Sequence, residues 1–305
     1  MSVTLREFVT RPLPVSGGVR ATDASYPKLT VVTPSFNQAE FLERTILSVL
    51  NQGYPNLEYF IIDGGSTDGS VDVIRRYEPF LAGWVSEKDK GQVDAINKGF
   101  RRATGDFVAF QNSDDIYAPG AFMTVAQAAR RWPDVDVFYG NTYHIDVDDR
   151  FLEEMRQVSF CAECQLYEGM QVFNQSLFFK RSLLDRFGYL DDQYRFAFDY
   201  EIATRYGLQP GVQMKHLNDF WGGFRVQPSA KSSTIADVGL HEHNLIKQRY
   251  VGLVNRSLGE SFWRAYCRVR KLTSYVLRGD LAYLRHRMTL RRFAAQQTEL
   301  KNKEV

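Results

Sequence analysis

Long apolar runs, cysteines and the common phosphate-binding motifs are scarce or missing in this sequence. No stretch of the 305 residues reaches the roughly 18 apolar residues of a membrane-spanning helix, and the polar N-terminus lacks the apolar core of a secretory signal. We therefore expect a cytoplasmic protein. The three cysteines are too few for a disulfide framework or a four-cysteine zinc site. Neither G-x-G-x-x-G after the first predicted strand nor G-x-x-x-x-G-K-[ST] occurs, which excludes the two usual backbone cradles for phosphate.

The composition is that of a globular protein with an uneven distribution of charge. Hydrophobic residues make up 44% of the chain and aromatic residues 14%, which excludes a disordered protein and allows a sizeable core. Residues 251–305 contain 12 basic and 4 acidic residues, although the net charge of the whole chain is only +2. Their apolar spacing predicts basic amphipathic helices, which suit peripheral contact with an anionic membrane or ordinary packing on the core. No nucleic-acid-binding motif accompanies them, so we expect no nucleic-acid partner.

Apolar runs of strand character alternate with helical periodicity in the first half of the chain. Strands are predicted at 29–33, 57–62, 81–85 and 108–110, each followed by a polar turn. This alternation predicts right-handed crossovers and an α/β fold with a mainly parallel sheet. Residues 1–27 have several prolines and glycines and no sustained period, so we interpret them as a loosely attached leader.

Polar side chains cluster where the fourth predicted strand ends, at Asn112, Ser113, Asp114 and Asp115. The carboxyl ends of parallel strands meet at one edge of a sheet, and ligands bind in the crevice beyond it. Oxygen ligands gathered there suit a hard divalent ion that holds a substrate diphosphate. The alternative is a solvated Asx turn before a helix. The missing phosphate cradles favour the metal site.

Four motifs occur in a fixed order: TPSFN (33–37), IIDGGSTDGS (61–70), DKGQVDAINKG (89–99) and FQNSDDIYAPG (110–120). Together they resemble glycosyltransferase family 2, over about residues 28–226. The resemblance implies a GT-A fold, in which a Rossmann-like nucleotide half is joined to an acceptor half. It also implies an inverting transferase that uses Mn²⁺ or Mg²⁺ and a nucleoside-diphosphate sugar.

Carried over residue by residue, the resemblance implies nucleotide contacts from Pro34, Ser35, Phe36, Asp63, Asp94, Asn112 and Ser113. Asp114 is the implied metal ligand, and Asp115 supports it. Many relatives have a second acid directly after Asp63 that bonds the base, but this chain has Gly64, which leaves the base open. Likewise, Asn112 stands where relatives have the first acid of a D-x-D signature. A simple turn-forming role for Asp63 is an equal alternative.

The resemblance assigns the catalytic base to the acceptor half. Asp199 matches the family's base, in a segment that also predicts a helix start, where Asp is favoured as an N-cap. Glu201 lies two residues further on and would point elsewhere on a helix. Four further candidates for the donor pocket and the diphosphate are Lys90, Gln175, Arg225 and Lys231. Gln227 replaces a histidine that relatives often carry near the diphosphate.

The function implied by the resemblance is transfer of a hexose-type sugar to the hydroxyl of a glycan or lipid-linked acceptor. The setting implied is bacterial surface-polysaccharide assembly, in the cytoplasm or at the inner face of the cell membrane. The alternative is a non-catalytic sugar-nucleotide or glycan-binding module, which Asn112 and Gly64 favour and the retained Asp114 and Asp199 oppose. The expected domains are a leader at 1–27, a GT-A domain at 28–236 with halves at 28–132 and 133–236, and a basic helical region at 237–305.

Overall fold

The computed structural model describes residues 4–13, 23–228, 234–254 and 258–289. The strands are β1 (Leu29–Ser35), β2 (Leu57–Asp63), β3 (Gly83–Ser86), β4 (Phe107–Phe110), β5 (Ile116–Tyr117), β6 (Val137–Ile145), β7 (Phe151–Met155), β8 (Leu177–Lys180) and β9 (Met214–Arg225). The helices are α1 (Leu5–Thr10), α2 (Ala39–Leu50), α3 (Ser70–Tyr77), α4 (Gln92–Arg102), α5 (Ala121–Arg131), α6 (Ala162–Glu168), α7 (Ser182–Phe187), α8 (Phe198–Gly207), α9 (Ala236–Tyr250) and α10 (Gly259–Leu277). Short 3₁₀ turns lie at Glu78–Phe80, Asn174–Ser176 and Val251–Leu253.

The described strands form one sheet with the order β3-β2-β1-β4-β8-β6-β9-β5, and β7 pairs with β6. Within the group β1 to β4, each pair of neighbouring strands is parallel, as the alternating pattern predicts. Antiparallel pairing begins where β8 joins β4, and β6 pairs antiparallel with β8 and parallel with β9. The predicted α/β fold is therefore confirmed, and the carboxyl ends of β1 to β4 lie along one edge.

A buried apolar layer covers each face of the sheet. Because side chains of a strand point alternately to its two faces, Val31 and Val32 belong to different layers. Helices α2, α3 and α5 pack on the Val31 face, whereas α4 and α8 pack on the Val32 face. Helix α4 approaches β1 closely at Gly99, where a Cβ would lie 2.4 Å from a methyl carbon of Val32.

Part of the predicted leader is ordered and packed. Residues 5–10 form α1, which begins with a capping box between Thr4 and Glu7. Phe8 and Val9 are buried against Ile116 and Ile145. The apolar pattern of this segment spans less than two helical turns, which is too short to show a period, so its packing cannot be predicted from the sequence.

Two compact units divide the chain, Met1–Val254 and Asn255–Val305. Helix α9 belongs to the first unit, where Ile246 and Tyr250 enter the core on the Val32 face. The second unit contains α10 and a helical stretch at 281–289. Among the described residues, no helix has both the length and the apolar character needed to cross a membrane.

Candidate functional site

The loop after β2 caps the start of α2 and so joins two of the predicted motifs. The N–H of Asn37 donates to Ser66 Oγ at 2.8 Å, and the N–H of Ala39 donates to Asp68 Oδ2 at 2.9 Å. Asn37 has a φ of 49°, a left-handed conformation that Asn tolerates well. Phe36 stands out of this joined loop pair with 59% of its surface exposed, which is unusual for an aromatic residue at a sheet edge.

Asp63 shapes this loop with both of its carboxylate oxygens. Oδ2 accepts hydrogen bonds from the N–H groups of Gly65 and Ser66 and from Ser86 Oγ, at 2.7–3.0 Å. Oδ1 accepts one from Ser66 Oγ at 2.5 Å, and the side chain is fully buried. This saturation supports the turn-forming role of Asp63. Its predicted contact with the nucleotide base stays a prediction.

Asp115 lies at the centre of a buried network after β4. Its Oδ2 accepts hydrogen bonds from Asn112 Nδ2 at 3.0 Å and from Gln175 Nε2 at 2.7 Å, and its Oδ1 accepts one from the N–H of Arg225 at 2.9 Å. Burial, together with the adjacent charge of Asp114, raises the pKa of Asp115 to about 7 in spite of these donors. Asn112 Oδ1 in turn accepts from Gln92 Nε2 at 2.7 Å. The Asn112 side chain is therefore positioned from two sides.

Asp114 is the partly exposed carboxylate of the pair. Its Oδ2 accepts a hydrogen bond from Gln227 Nε2 at 2.6 Å, so the residue that replaces the relatives' histidine reaches the predicted metal ligand. Its main-chain carbonyl accepts one from Arg225 Nε at 2.7 Å. Two oxygen-bearing side chains, those of Asp114 and Gln227, therefore meet where β4 and β9 end.

Arg225 is a buried structural residue rather than a surface cation. Its guanidinium donates to Asp149 Oδ1 at 2.6 Å and to the carbonyl of Asp146 at 2.8 Å, in addition to the carbonyl of Asp114. The side chain is 0% exposed. Arg44 also pairs with Asp149, at 2.8 Å. The guanidinium thus holds the main chain of the site, which gives no support to the predicted direct contact with a diphosphate.

The first turn of helix α8, which contains Asp199, packs at the end of β4. The ring of Phe198 packs on that of Phe110 at the end of β4, with 5.8 Å between the ring centroids. Asp199 follows Phe198 in the first turn of α8 and is half-buried. Glu201, the other acid in this turn, is fully buried and pairs with Arg205 at 2.9 Å. This agrees with the expectation that its side chain points in a different direction from that of Asp199.

Glu242 on α9 caps the start of α8, a role that the sequence did not indicate. Its carboxylate accepts hydrogen bonds from the N–H groups of Arg195, Phe196 and Ala197 at 2.8–2.9 Å. Of these donors, the N–H of Ala197 belongs to the N-cap residue of α8, and a carboxylate at this position also interacts favourably with the helix dipole. The partner lies 45 residues further along the chain, too far for a capping pattern to show it.

The remaining candidates lie at the margins of the site. Burial alone would raise the pKa of Asp94, but the N–H of Lys90 and the ammonium of Lys98 bind its carboxylate and hold the pKa below its usual value. Asp94 therefore holds the turn that precedes α4 in this structure. Pro34, Ser35 and Ser113 are buried at the strand ends. Lys231 lies outside the described residues.

An α/β sheet with an oxygen-rich cluster beyond the carboxyl ends of its parallel strands is typical of nucleotide-binding proteins. Residues 30–194 match the family described as Glycosyl transferase family 2, and the chain belongs to this family. It is accordingly a glycosyltransferase.

Two curated relatives illustrate the similarity. An uncharacterized glycosyltransferase of Mycobacterium tuberculosis is 33% identical over 189 residues, which cover 60% of this chain and 70% of that protein. The putative teichuronic acid biosynthesis glycosyltransferase TuaG of Bacillus subtilis is 40% identical over 92 residues, covering 29% of this chain and 36% of that protein.

Solved structures share the fold at low sequence identity. S. aureus TarS residues 1–349 in complex with UDP align with a TM-score of 0.55 and 18% identity, over 77% of this chain and 68% of that chain. The mannosyltransferase PcManGT of Pyrobaculum calidifontis, in complex with GDP-Man and Mn²⁺, aligns with a TM-score of 0.53 and 19% identity, over 83% and 70%. This chain spans 43% of a longer TarS chain. These likenesses confirm the predicted GT-A fold.

Proposed function

We propose that this protein transfers a sugar from a nucleoside-diphosphate sugar to an acceptor hydroxyl with inversion at the anomeric carbon, and that Asp199 is the general base. The observation behind this proposal is the packing of Phe198 on Phe110, which brings the first turn of α8 to the end of β4, after which Asn112 and Asp114 follow. A base and an oxygen-rich diphosphate site on one edge are what a single displacement needs.

The reaction proceeds as one displacement. The acceptor hydroxyl attacks the anomeric carbon while Asp199 takes its proton, and the bond from that carbon to the diphosphate oxygen breaks with the electron pair leaving on the diphosphate. Attack from the side opposite the leaving group inverts the configuration, so no covalent enzyme intermediate forms. Glu242 supports this step by holding the main chain of residues 195–197, directly before α8.

A divalent ion fits the donor chemistry of this edge. Asp114 and the amide oxygen of Gln227 are the side-chain oxygens that would hold it, whereas the Asp115 oxygens already accept three hydrogen bonds. No group of three His, Cys, Asp or Glu residues within the described part of the chain is arranged to bind a metal. One carboxylate is sufficient for Mg²⁺ or Mn²⁺, which usually keep waters and bind substrate phosphates. When bound, the ion would stabilise the negative charge of the departing diphosphate.

The acceptor is proposed to be a glycan or a lipid-linked precursor of a surface polysaccharide. The name of the B. subtilis relative, which refers to teichuronic acid biosynthesis, supports this setting. Helix α10 offers a matching surface, because an apolar stripe of Phe262, Tyr266, Val269, Leu272 and Val276 is 44–62% exposed. Basic residues on its other sides include Arg264, Arg268 and Lys271, a pattern typical of helices that lie on anionic membranes.

A non-catalytic binding module is the second candidate, because Asn112 replaces an acid and its side chain is engaged by Gln92 and Asp115. Donor hydrolysis separates the two functions. An active transferase releases sugar from the correct nucleoside-diphosphate sugar into water when Mn²⁺ is supplied, whereas a binding module leaves the donor intact.

The test of the proposed function is Asp199→Asn, which preserves size and removes basicity. We expect transfer and donor hydrolysis to fall by about 10²–10⁴-fold, while donor affinity measured by calorimetry stays within about twofold of the original. Asp192→Asn, at an exposed position of the preceding turn, is the matched control and should keep full activity. Near-normal turnover of Asp199→Asn would assign the base to a different acid.

A further inference from the structure

The backbone conformation of Gly64 does not itself require a glycine. Its φ lies outside the left-handed region, whereas that of the next residue, Gly65, is +85°. A larger residue would have to displace the carboxylate of Asp89, since a Cβ on Gly64 would lie 2.7 Å from Asp89 Oδ2 and 3.1 Å from its Cγ. The Asp89 side chain therefore occupies the space directly after β2 that a side chain at position 64 would fill.

The Asp89 carboxylate is anchored through one oxygen. Oδ1 accepts a hydrogen bond from the N–H of Gly91 at 2.8 Å. Oδ2 has no hydrogen-bond partner within the described ranges, and the side chain is half-buried. An ionised carboxylate accepts hydrogen bonds and donates none. Its second oxygen is thus placed to accept a hydrogen bond from a ligand.

The position of Asp89 along the sheet edge indicates which part of a ligand it meets. Gly64 follows β2 and Asp114 follows β4, and β1 lies between these strands, so the two points are separated by two strand spacings, about 10 Å. A nucleotide with its diphosphate at Asp114 would extend its base towards β2 and β3. A carboxylate would repel the diphosphate, but it can bind an N–H group of the base.

We propose that Asp89 selects the base of the donor by accepting a hydrogen bond from the imino N–H of uracil, thymine or guanine. Cytosine and adenine have a lone pair at the corresponding ring nitrogen, which the carboxylate repels. Asp63 is engaged in shaping its own loop, so the neighbouring loop supplies the recognising acid. This inference rests on the proposed function, because it assigns one contact within the same donor site.

The test compares UDP, GDP, CDP and ADP by calorimetry in the presence of Mn²⁺. We expect the unaltered protein to prefer UDP or GDP. Asp89→Asn should lower the affinity for the preferred nucleotide by about 10- to 100-fold, the size of one charge-assisted hydrogen bond. It should also remove the preference over CDP and ADP, because the amide can donate to their ring nitrogens. Asp72→Asn, an exposed acid on α3, is the matched control.

Gly64→Ala provides an independent test, since its methyl group displaces the Asp89 carboxylate without changing its chemistry. It should lower the affinity for the preferred nucleotide and reduce the preference over CDP and ADP, as Asp89→Asn does. The melting temperature of the variant shows that the protein is folded. If both variants keep the affinity and base preference, or if CDP or ADP is preferred from the start, the role of Asp89 is overturned. If no nucleoside diphosphate binds the unaltered protein, the proposed function itself fails.

Discussion

Asp114 and Asp115 are adjacent in the sequence, but their carboxylates have different surroundings. Asp115 is buried and accepts hydrogen bonds from Asn112, Gln175 and Arg225, whereas Asp114 is partly exposed and meets Gln227. The same residue type is therefore buried in a hydrogen-bond network at one position and partly exposed, as the proposed metal ligand, at the next.

Changing each acid to its amide should separate these roles. Asp115→Asn turns an NH₂ group towards hydrogen-bond donors, so we expect the free energy of unfolding to fall by about 1–3 kcal/mol. Asp114→Asn should leave stability nearly unchanged but weaken Mn²⁺-dependent nucleoside-diphosphate binding by at least about tenfold, since even outer partners of a metal contribute that much. Chemical denaturation and calorimetry of both variants measure the two effects. Equal nucleotide affinity with Mn²⁺ and with a chelator would remove the metal from the mechanism.

The start of helix α8 is hydrogen-bonded by an acidic side chain from another helix. Its N-cap residue is Ala197, whose side chain makes no capping hydrogen bond, and Glu242 on α9 supplies the acceptor instead. Since Asp199 lies in the first turn, the cap that stabilises the helix also positions the proposed base.

Glu242→Gln should therefore affect both stability and catalysis. We expect a loss of about 1–3 kcal/mol in the free energy of unfolding, because three N–H donors lose a charged acceptor, and a lower kcat with little change in donor affinity. Asp237→Asn, at an exposed position in the first turn of α9, is the control and should stay within about 0.5 kcal/mol. A stability loss with an unchanged kcat would show that Glu242 supports the fold without positioning Asp199.

The whole molecule combines an acidic body with a strongly basic end, and this asymmetry is expected to orient it on an anionic surface. Each Lys or Arg close to such a surface contributes about 1 kcal/mol of binding free energy, and the exposed stripe of α10 adds apolar contact.

Sedimentation with vesicles measures this binding. Vesicles containing phosphatidylglycerol should bind the protein, with binding that falls as salt rises, and pure phosphatidylcholine vesicles should bind little. Val269→Asp together with Val276→Asp should abolish most of the binding, while Val238→Asp, at an exposed position of α9, should not. Equal binding to both kinds of vesicle would contradict the membrane role of α10.

The order of strands and helices along the first half of the chain could be predicted from the sequence. Apolar period and turn residues are local properties, so Leu29–Ser35 and Leu57–Asp63 were found within two residues of their observed ends. The strands of the second half could not be ordered in this way, because their pairing joins segments such as β6 and β9 that lie far apart in sequence.

The sequence by itself determined which polar residues follow the parallel strands, and therefore which groups reach the edge of the sheet. Only the tertiary structure decided which of these groups are already engaged by the protein. Two of the three donors to Asp115 come from residues 60 and 110 positions away, and the space at Gly64 is filled by Asp89 from another loop. The folded sheet brings such distant segments within hydrogen-bond distance, and no local pattern in the sequence encodes that approach.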